Sequence, residues 1–127
     1  MSEECIPSDE RLFHNLHPTD YDNGRVNSSA FNPSENHEYK LSVDRSSIHD
    51  AERSFSIFTS RGNKSVGVCG VMCADFSGEE IICFPDEVDD NPAHALADYS
   101  PHGVSQRKKK AKRLAKKAGS YGLDFQP

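Results

Sequence analysis

The stretch SVGVCGVMCADF (65–76) is apolar on both of its faces. Val66 and Val68 alternate with Gly67, Cys69 and Val71, so a strand here has no side suited to water. It has to be central and buried, which requires a sheet around it. Three further runs supply strands. KLSVD (40–44) alternates, with Leu41 and Val43 on one face. EIICFP (80–85) is closed by Pro85. AHALADY (93–99) places His94, Leu96 and Asp98 on one face and Ala95, Ala97 and Tyr99 on the other. SGEE (77–80) reads as a turn. PDEVDDNP (85–92) reads as an acidic loop, and it lacks the ligand spacing of a calcium loop.

Helical spacing appears twice. Ser47 is placed as an N-cap, with Asp50 in the first turn. Ile48, Ala51, Phe55 and Phe58 then make one apolar face, and Gly62 ends the helix. Ser105 caps a second helix over 106–118, with a narrow stripe of Ala111, Leu114, Ala115 and Ala118 and a stop at Gly119. SYGLDF (120–125) adds an edge strand. Residues 1–37 hold turn signals at HPTD, DNG and NPSEN and read as loop with one or two short strands. The expectation is an α+β fold: a small, mostly antiparallel sheet with two helices on one face, in the order β-α-β-β-β-α. A loop-rich segment (1–37) precedes a single domain (38–127) that ends in a basic helix (105–118).

Charge is divided along the chain. Residues 1–106 hold 7 basic and 19 acidic groups, a net of −12, whereas residues 107–127 hold 8 basic groups and only Asp124, a net of +7. Lys108, Lys109, Lys110, Lys112, Arg113, Lys116 and Lys117 cover most of the second helix and form the candidate anion-binding set. A polyphosphate partner would reward such density through counterion release. The helix has no aromatic side chain, so bases would go unread, and Tyr121 is the nearest ring. The alternative is a helix lying over its own acidic body.

A second candidate set is Arg25, Ser28, Ser29, Arg45 and His94, all near turns or strand ends. Convergence of Arg25, Arg45 and His94 over a cleft would allow acid–base work by the imidazole and anion clamping by the guanidiniums. No triad, phosphate loop or paired-carboxylate motif accompanies them. Six histidines include His14 and His17, three apart, but no cysteine pair lies beside them, so neither a metal nor another cofactor is expected. Cys5, Cys69, Cys73 and Cys83 make no disulfide framework. Cys69 and Cys73, on one strand, would sit about 13 Å apart, too far to bond. No apolar run approaches the roughly 18–20 residues of a membrane helix. The acidic start, MSEECIPSDER, lacks the apolar core of a secretory leader. The expected setting is therefore the cytoplasm, without a membrane partner.

GRVNSSAFNPS, KLSVDRSS, SVGVCGV and NPAHALADY, followed by the Lys-rich helix, resemble a family of small bacterial proteins with the pattern GRVxSxAFxP, LSV, SVGV and NPAHA. The resemblance covers most of residues 11–125. It implies that Arg25, Ser42 and His94 belong to a recurring scaffold, and it transfers no function. The leading expectation is a non-enzymatic interaction module, an accessory subunit that binds a larger protein in a bacterial or phage system. The second is binding of nucleic-acid backbone through the basic helix. The third is a small enzyme, either a metal-independent nuclease or an ADP-ribosyl-transfer-like fold, using Arg25, Arg45 and His94.

Overall fold

A computed structural model describes residues 6–127, so Cys5 lies outside the described residues. In chain order the strands are β1 (Arg11–Leu16), β2 (Tyr21–Asp22), β3 (Arg25–Val26), β4 (Lys40–Arg45), β5 (Gly67–Met72), β6 (Ile82–Pro85) and β7 (His94–Asp98). The α-helices are α1 (Ala51–Ser60), α2 (Cys73–Gly78) and α3 (Val104–Tyr121). Five strands make one antiparallel sheet in the order β5-β1-β4-β7-β6, and β2 and β3 form a separate hairpin. The class is α+β, as the sequence indicates, although a third helix, α2, joins the expected two.

The largest departure is β1. RLFHNL falls in the segment expected to be mostly loop, yet it forms a strand inside the sheet, paired along its whole length with β5. Leu12 and Leu16 enter the core on one face, and Phe13 packs on the other. His14 and Asn15 break the apolar alternation, but both are held by hydrogen bonds. His14 Nδ1 donates to the Ser42 carbonyl at 3.0 Å, and Asn15 Nδ2 donates to Ser54 Oγ at 3.3 Å. Burial keeps the His14 imidazole below its ordinary pKa, the direction that favours the neutral donor seen here.

β5 is an edge strand, not a central one. Its outer edge is covered by the C-terminal segment: Val68 N–H donates to the Phe125 carbonyl at 2.8 Å and Asp124 N–H to the Val68 carbonyl at 2.7 Å. The expected strand at 120–125 is reduced to this bridge at Phe125. The apolar run also does not stay extended to residue 76. Asp75 accepts the Met72 N–H at 2.9 Å and opens α2.

The helix caps also shift. Asp50, rather than Ser47, caps α1 by accepting the Arg53 N–H at 2.9 Å. Ile48 therefore precedes the helix and is exposed. α3 starts after Gly103 instead of Ser105. It runs through Gly119 to Tyr121 and stops at Gly122, whose φ of 83° suits glycine.

The helices occupy both faces of the sheet, contrary to the one-face expectation. α1 packs beside Phe13 and Val68, with Phe55 against Phe125. α3 lays Ala111, Leu114, Ala115 and Ala118 on the opposite face, over a core that includes Leu12, Val43, Cys69, Val71 and Tyr99. One buried ion pair fixes the start of β1. The Glu10 carboxylate accepts two bonds from Arg45, each at 3.0 Å, and further bonds from the Ser47 hydroxyl and amide. Burial pushes the Glu10 pKa up, but these bonds outweigh it and leave the carboxyl below its ordinary value.

Two outcomes are expected. Replacing Glu10 with Gln leaves Arg45 without its carboxylate in a mostly buried setting, and should cost about 3 kcal/mol in urea unfolding. Because the folded-state pKa of Glu10 is depressed, this stabilisation is complete above the ordinary carboxylate range and is lost as pH falls through the lower folded value. The wild type should lose stability over that acid window, and Glu10→Gln should lose less. The second outcome concerns Gly70, where an added Cβ would sit 2.8 Å from the Leu12 carbonyl and 2.9 Å from Asp124 Oδ2. Gly70→Ala should therefore destabilise by about 1–3 kcal/mol in the same assay.

Candidate anion-binding groove

The small side chains of α3 let the preceding chain approach closely. Ala111 and Ala115 are buried against the segment that carries Val26, Ala30 and Phe31. Asn23 and Gly24, both at positive φ, turn the β2–β3 hairpin and place Arg25 on its outward side. The result is a shallow groove with Arg25, Asn27, Ser28 and Ser29 on one wall and Lys112 and Lys116 on the other, floored near Ala115 and Gly119. No carboxylate lines it. Ser29 Oγ donates to Asp20 at 2.6 Å, which fixes this part of the wall. Asn27 Nδ2 donates to the Thr19 carbonyl at 3.2 Å.

α3 separates its cations into two populations. Arg107 stacks on the Tyr39 ring, 3.8 Å from its centroid, and bonds the His102 carbonyl. Lys110 is buried and donates to the Glu79 carbonyl at 2.7 Å. Arg113 grips the Glu79 carboxylate through both Nε and Nη2, and this pairing raises the guanidinium pKa further. Lys117 lies 3.5 Å from Asp75. These four hold the helix to its own acidic body. Lys108, Lys109, Lys112 and Lys116 make no side-chain hydrogen bond or ion pair among the described residues, and all four are exposed. At about 100° per residue they share one stripe, and Lys108 to Lys116 spans about 12 Å.

The two candidate sets from the sequence therefore partly merge. Arg25, Ser28 and Ser29 join Lys112 and Lys116, an association that sequence distance concealed. The expected cationic helix surface narrows to four of its seven members. Arg45 and His94 lie elsewhere. Arg45 is committed to Glu10 on the core face occupied by α3. His94 pairs in register with Asp44, the residue next to Arg45 on β4, and so projects from the opposite face.

His94 borders a separate cleft of about 410 Å³ beside α1. Its Nδ1 donates to the Asp86 carbonyl at 2.9 Å and lies 3.1 Å from the Asp86 carboxylate. Asp44, in the same cleft, spends its carboxylate oxygens on Asn91 Nδ2, at 2.8 Å, and on the Ser54 hydroxyl. Arg25, Arg45 and His94 thus do not share a cleft, and the arrangement required for their joint catalysis does not form. Among the described residues no group of three or more His, Cys, Asp or Glu is placed to hold a metal ion, and no helix is long and apolar enough to cross a membrane.

No protein-family model, curated protein or solved structure matches this chain. The groove's geometry and charge carry the functional reading by themselves.

The partition of cations predicts a labelling pattern. Under limited acetylation read by peptide mass spectrometry, Lys108, Lys109, Lys112 and Lys116 should react first. Lys110 should react well after them. Equal rates at Lys110 and Lys112 would contradict the buried Lys110–Glu79 contact.

Proposed function

We propose that this protein binds the phosphate backbone of a nucleic acid through the groove between α3 and the 24–29 segment. The observation that carries the reading is that Lys112 and Lys116 face Arg25 across the groove, with Lys108 and Lys109 on the same helix stripe, and that none of the five has a side-chain partner among the described residues. Cations used only to seat a helix would face its own body, as Arg107, Lys110 and Arg113 do. Phosphate attracts such a stripe by Coulomb interaction and by release of condensed counterions. On the opposite wall the Ser28 hydroxyl and the second Asn27 amide hydrogen supply neutral donors of the kind common at phosphate contacts, the Ser29 hydroxyl being spent on Asp20.

Recognition of sequence is not part of this reading. No aromatic side chain lines the groove. Tyr121 is already engaged, since its hydroxyl donates to Asp75 at 2.9 Å and the Arg11 guanidinium lies over its ring. Base stacking, the usual means of gripping single strands beyond charge, is absent from the surface described.

A second reading keeps the protein as an accessory module for a larger protein. It is favoured by β6, an edge strand whose Ile82 is 72% exposed. An open edge with an exposed apolar side chain is a place where another chain can add a strand.

The test is fluorescence anisotropy with a short labelled oligonucleotide over a range of salt concentrations. Each cation that reaches a phosphate contributes about 0.7 to 0.9 to the slope of log affinity against log salt. The triple variant Arg25→Gln, Lys112→Gln, Lys116→Gln should bind more weakly at every sequence tried and lose about two to three units of slope. Arg113→Gln, which removes a charge already committed to Glu79, should change the slope little. Affinity and slope unchanged in the triple variant would reject the groove as the binding surface.

A further inference from the structure

β1 and β4 separate partway along their length. Their pairing runs through Leu12↔Arg45 and Phe13↔Asp44 and stops there. Beyond that point β1 continues beside β5 as far as Leu16, and the Lys40 end of β4 continues beside β7. The next rung would join Asn15 to Ser42. In its place the His14 ring reaches across, and its Nδ1 donates to the Ser42 carbonyl at 3.0 Å. The ring also packs on Phe31, with 5.4 Å between centroids. A side chain standing where a backbone rung belongs holds the two strands open. The cleft of about 410 Å³ beside α1 is lined by residues on both sides of this opening, Phe13 to Asn15 and Lys40 to Asp44.

The opening exposes donors on β4. Arg45 N–H donates to the Ala93 carbonyl of the β7 side at 2.9 Å, so alternation turns the Ser42 N–H the other way, toward the gap. The Ser42 hydroxyl is exposed and makes no hydrogen bond among the described residues. Lys40 Nζ meets Glu38 at 3.1 Å, but that carboxylate is 82% exposed. Such a surface pair is weak enough for the ammonium to turn to a better-placed anion. Asp44, the carboxylate of the lining, is buried, and its oxygens are already taken by Asn91 and Ser54. Across the opening, α1 contributes Ile57 and Phe58, which with Phe13 and the buried Pro33 give the cleft apolar surface.

We infer that this cleft binds a small organic acid: a monocarboxylate held by the Ser42 N–H, the Ser42 hydroxyl and the Lys40 ammonium, with an apolar or aromatic body against Phe13, Ile57 and Phe58. The volume lies in the range of about 300–1,000 Å³ usual for small-molecule sites. The lining selects the charge and the body together. A cationic ligand would meet Lys40 and Arg61 and find no free carboxylate. Inorganic phosphate would leave the apolar surface unused. A neutral hydrocarbon would cover the Ser42 donors without an acceptor, which costs free energy. The cleft shares no lining residue with the groove along α3, so this inference stands apart from the nucleic-acid reading.

The experiment titrates the full, ¹⁵N-labelled chain with 2-naphthoate and follows backbone amide resonances. Two comparison probes are used: 2-naphthalenemethanol, which keeps the ring without the charge, and inorganic phosphate, which keeps the charge without the ring. Saturable shifts are expected at Ser42, Phe13 and Phe58. The alcohol should bind about tenfold more weakly, since it lacks the charge-assisted contacts. Lys40→Gln should weaken naphthoate severalfold and leave the alcohol unchanged, a split that mere loss of folding would not produce. Ser42→Ala, at an exposed position, should weaken naphthoate in the same way. Absence of saturable naphthoate shifts would overturn the proposal. So would equal affinity for the alcohol, a phosphate response of equal affinity at Ser42, or naphthoate shifts confined to the Lys112 and Lys116 region.

Discussion

Two neighbouring residues of opposite charge hold the sheet together at its least obvious strand. Glu10 and Arg11 open β1 and point to opposite sides. Glu10 takes Arg45 at the end of β4. Arg11 takes Asp124 in the C-terminal segment, at 3.0 Å, and covers the Tyr121 ring. β1 is thus tied to β4 through one residue and to the end of α3 through the next. Since β1 also carries every rung to β5, the edge strand, the middle strand and the terminal helix share a dependence on it. The groove inherits this. Its Lys112 and Lys116 wall is positioned by a helix whose far end is fastened at Arg11, Asp75 and Asp124, while its middle is fastened at Glu79.

Much of β4 and β7 was legible because their residues alternate cleanly. Ala95, Ala97 and Tyr99 reach the core from β7, and Leu41 and Val43 reach it from β4, as their spacing indicates. β1 was not legible for a physical reason. Period-two reading assumes one wet face, but β1 is enclosed on both, and its polar residues are satisfied inside the protein. His14 bonds a carbonyl, and Asn15 joins Ser54 and Ser65. Such residues look like loop composition until their partners are known. α2 was hidden differently. Its first residue continues an unbroken apolar run, and the signal for a helix start is a single side chain, Asp75, reaching back to Met72.

The candidate site was half legible. The Ala111, Leu114, Ala115 and Ala118 stripe, visible in the sequence, already defines which side of α3 is buried. Arg107 and Lys110 stand four residues before Ala111 and Leu114, so helical geometry puts them on the buried side. The withdrawal of Arg107 and Lys110 follows from that periodicity and needs no tertiary information. Two things did need it. Arg113 lies near the edge of the free stripe and is removed from it only because Glu79 stands within reach. Arg25 approaches Lys112 and Lys116 across nearly ninety residues of chain, by way of a hairpin packed on alanines. No local pattern records that approach. The same distance separated Arg25 from the partners first considered for it, Arg45 and His94, whose strand alternation sends them to opposite faces.

The chain's net charge of −5 is a poor guide to what an anion meets at the groove. At physiological ionic strength a charge is felt over about 8 Å, so a ligand responds to the local surface and not to the sum. Several acids nearest α3 are already spent: Glu79 on Arg113, Asp75 on Lys117 and Tyr121, Asp124 on Arg11. These contacts neutralise the inner side of the helix and leave the outer lysines uncompensated. The acidic body thus has two effects that its formal charge conceals. It supplies the counterions that seat α3, and its remaining carboxylates disfavour a polyanion that approaches anywhere except along the stripe. A chain with the same lysines on a neutral body would attract phosphate less selectively, because nothing would oppose the other approaches.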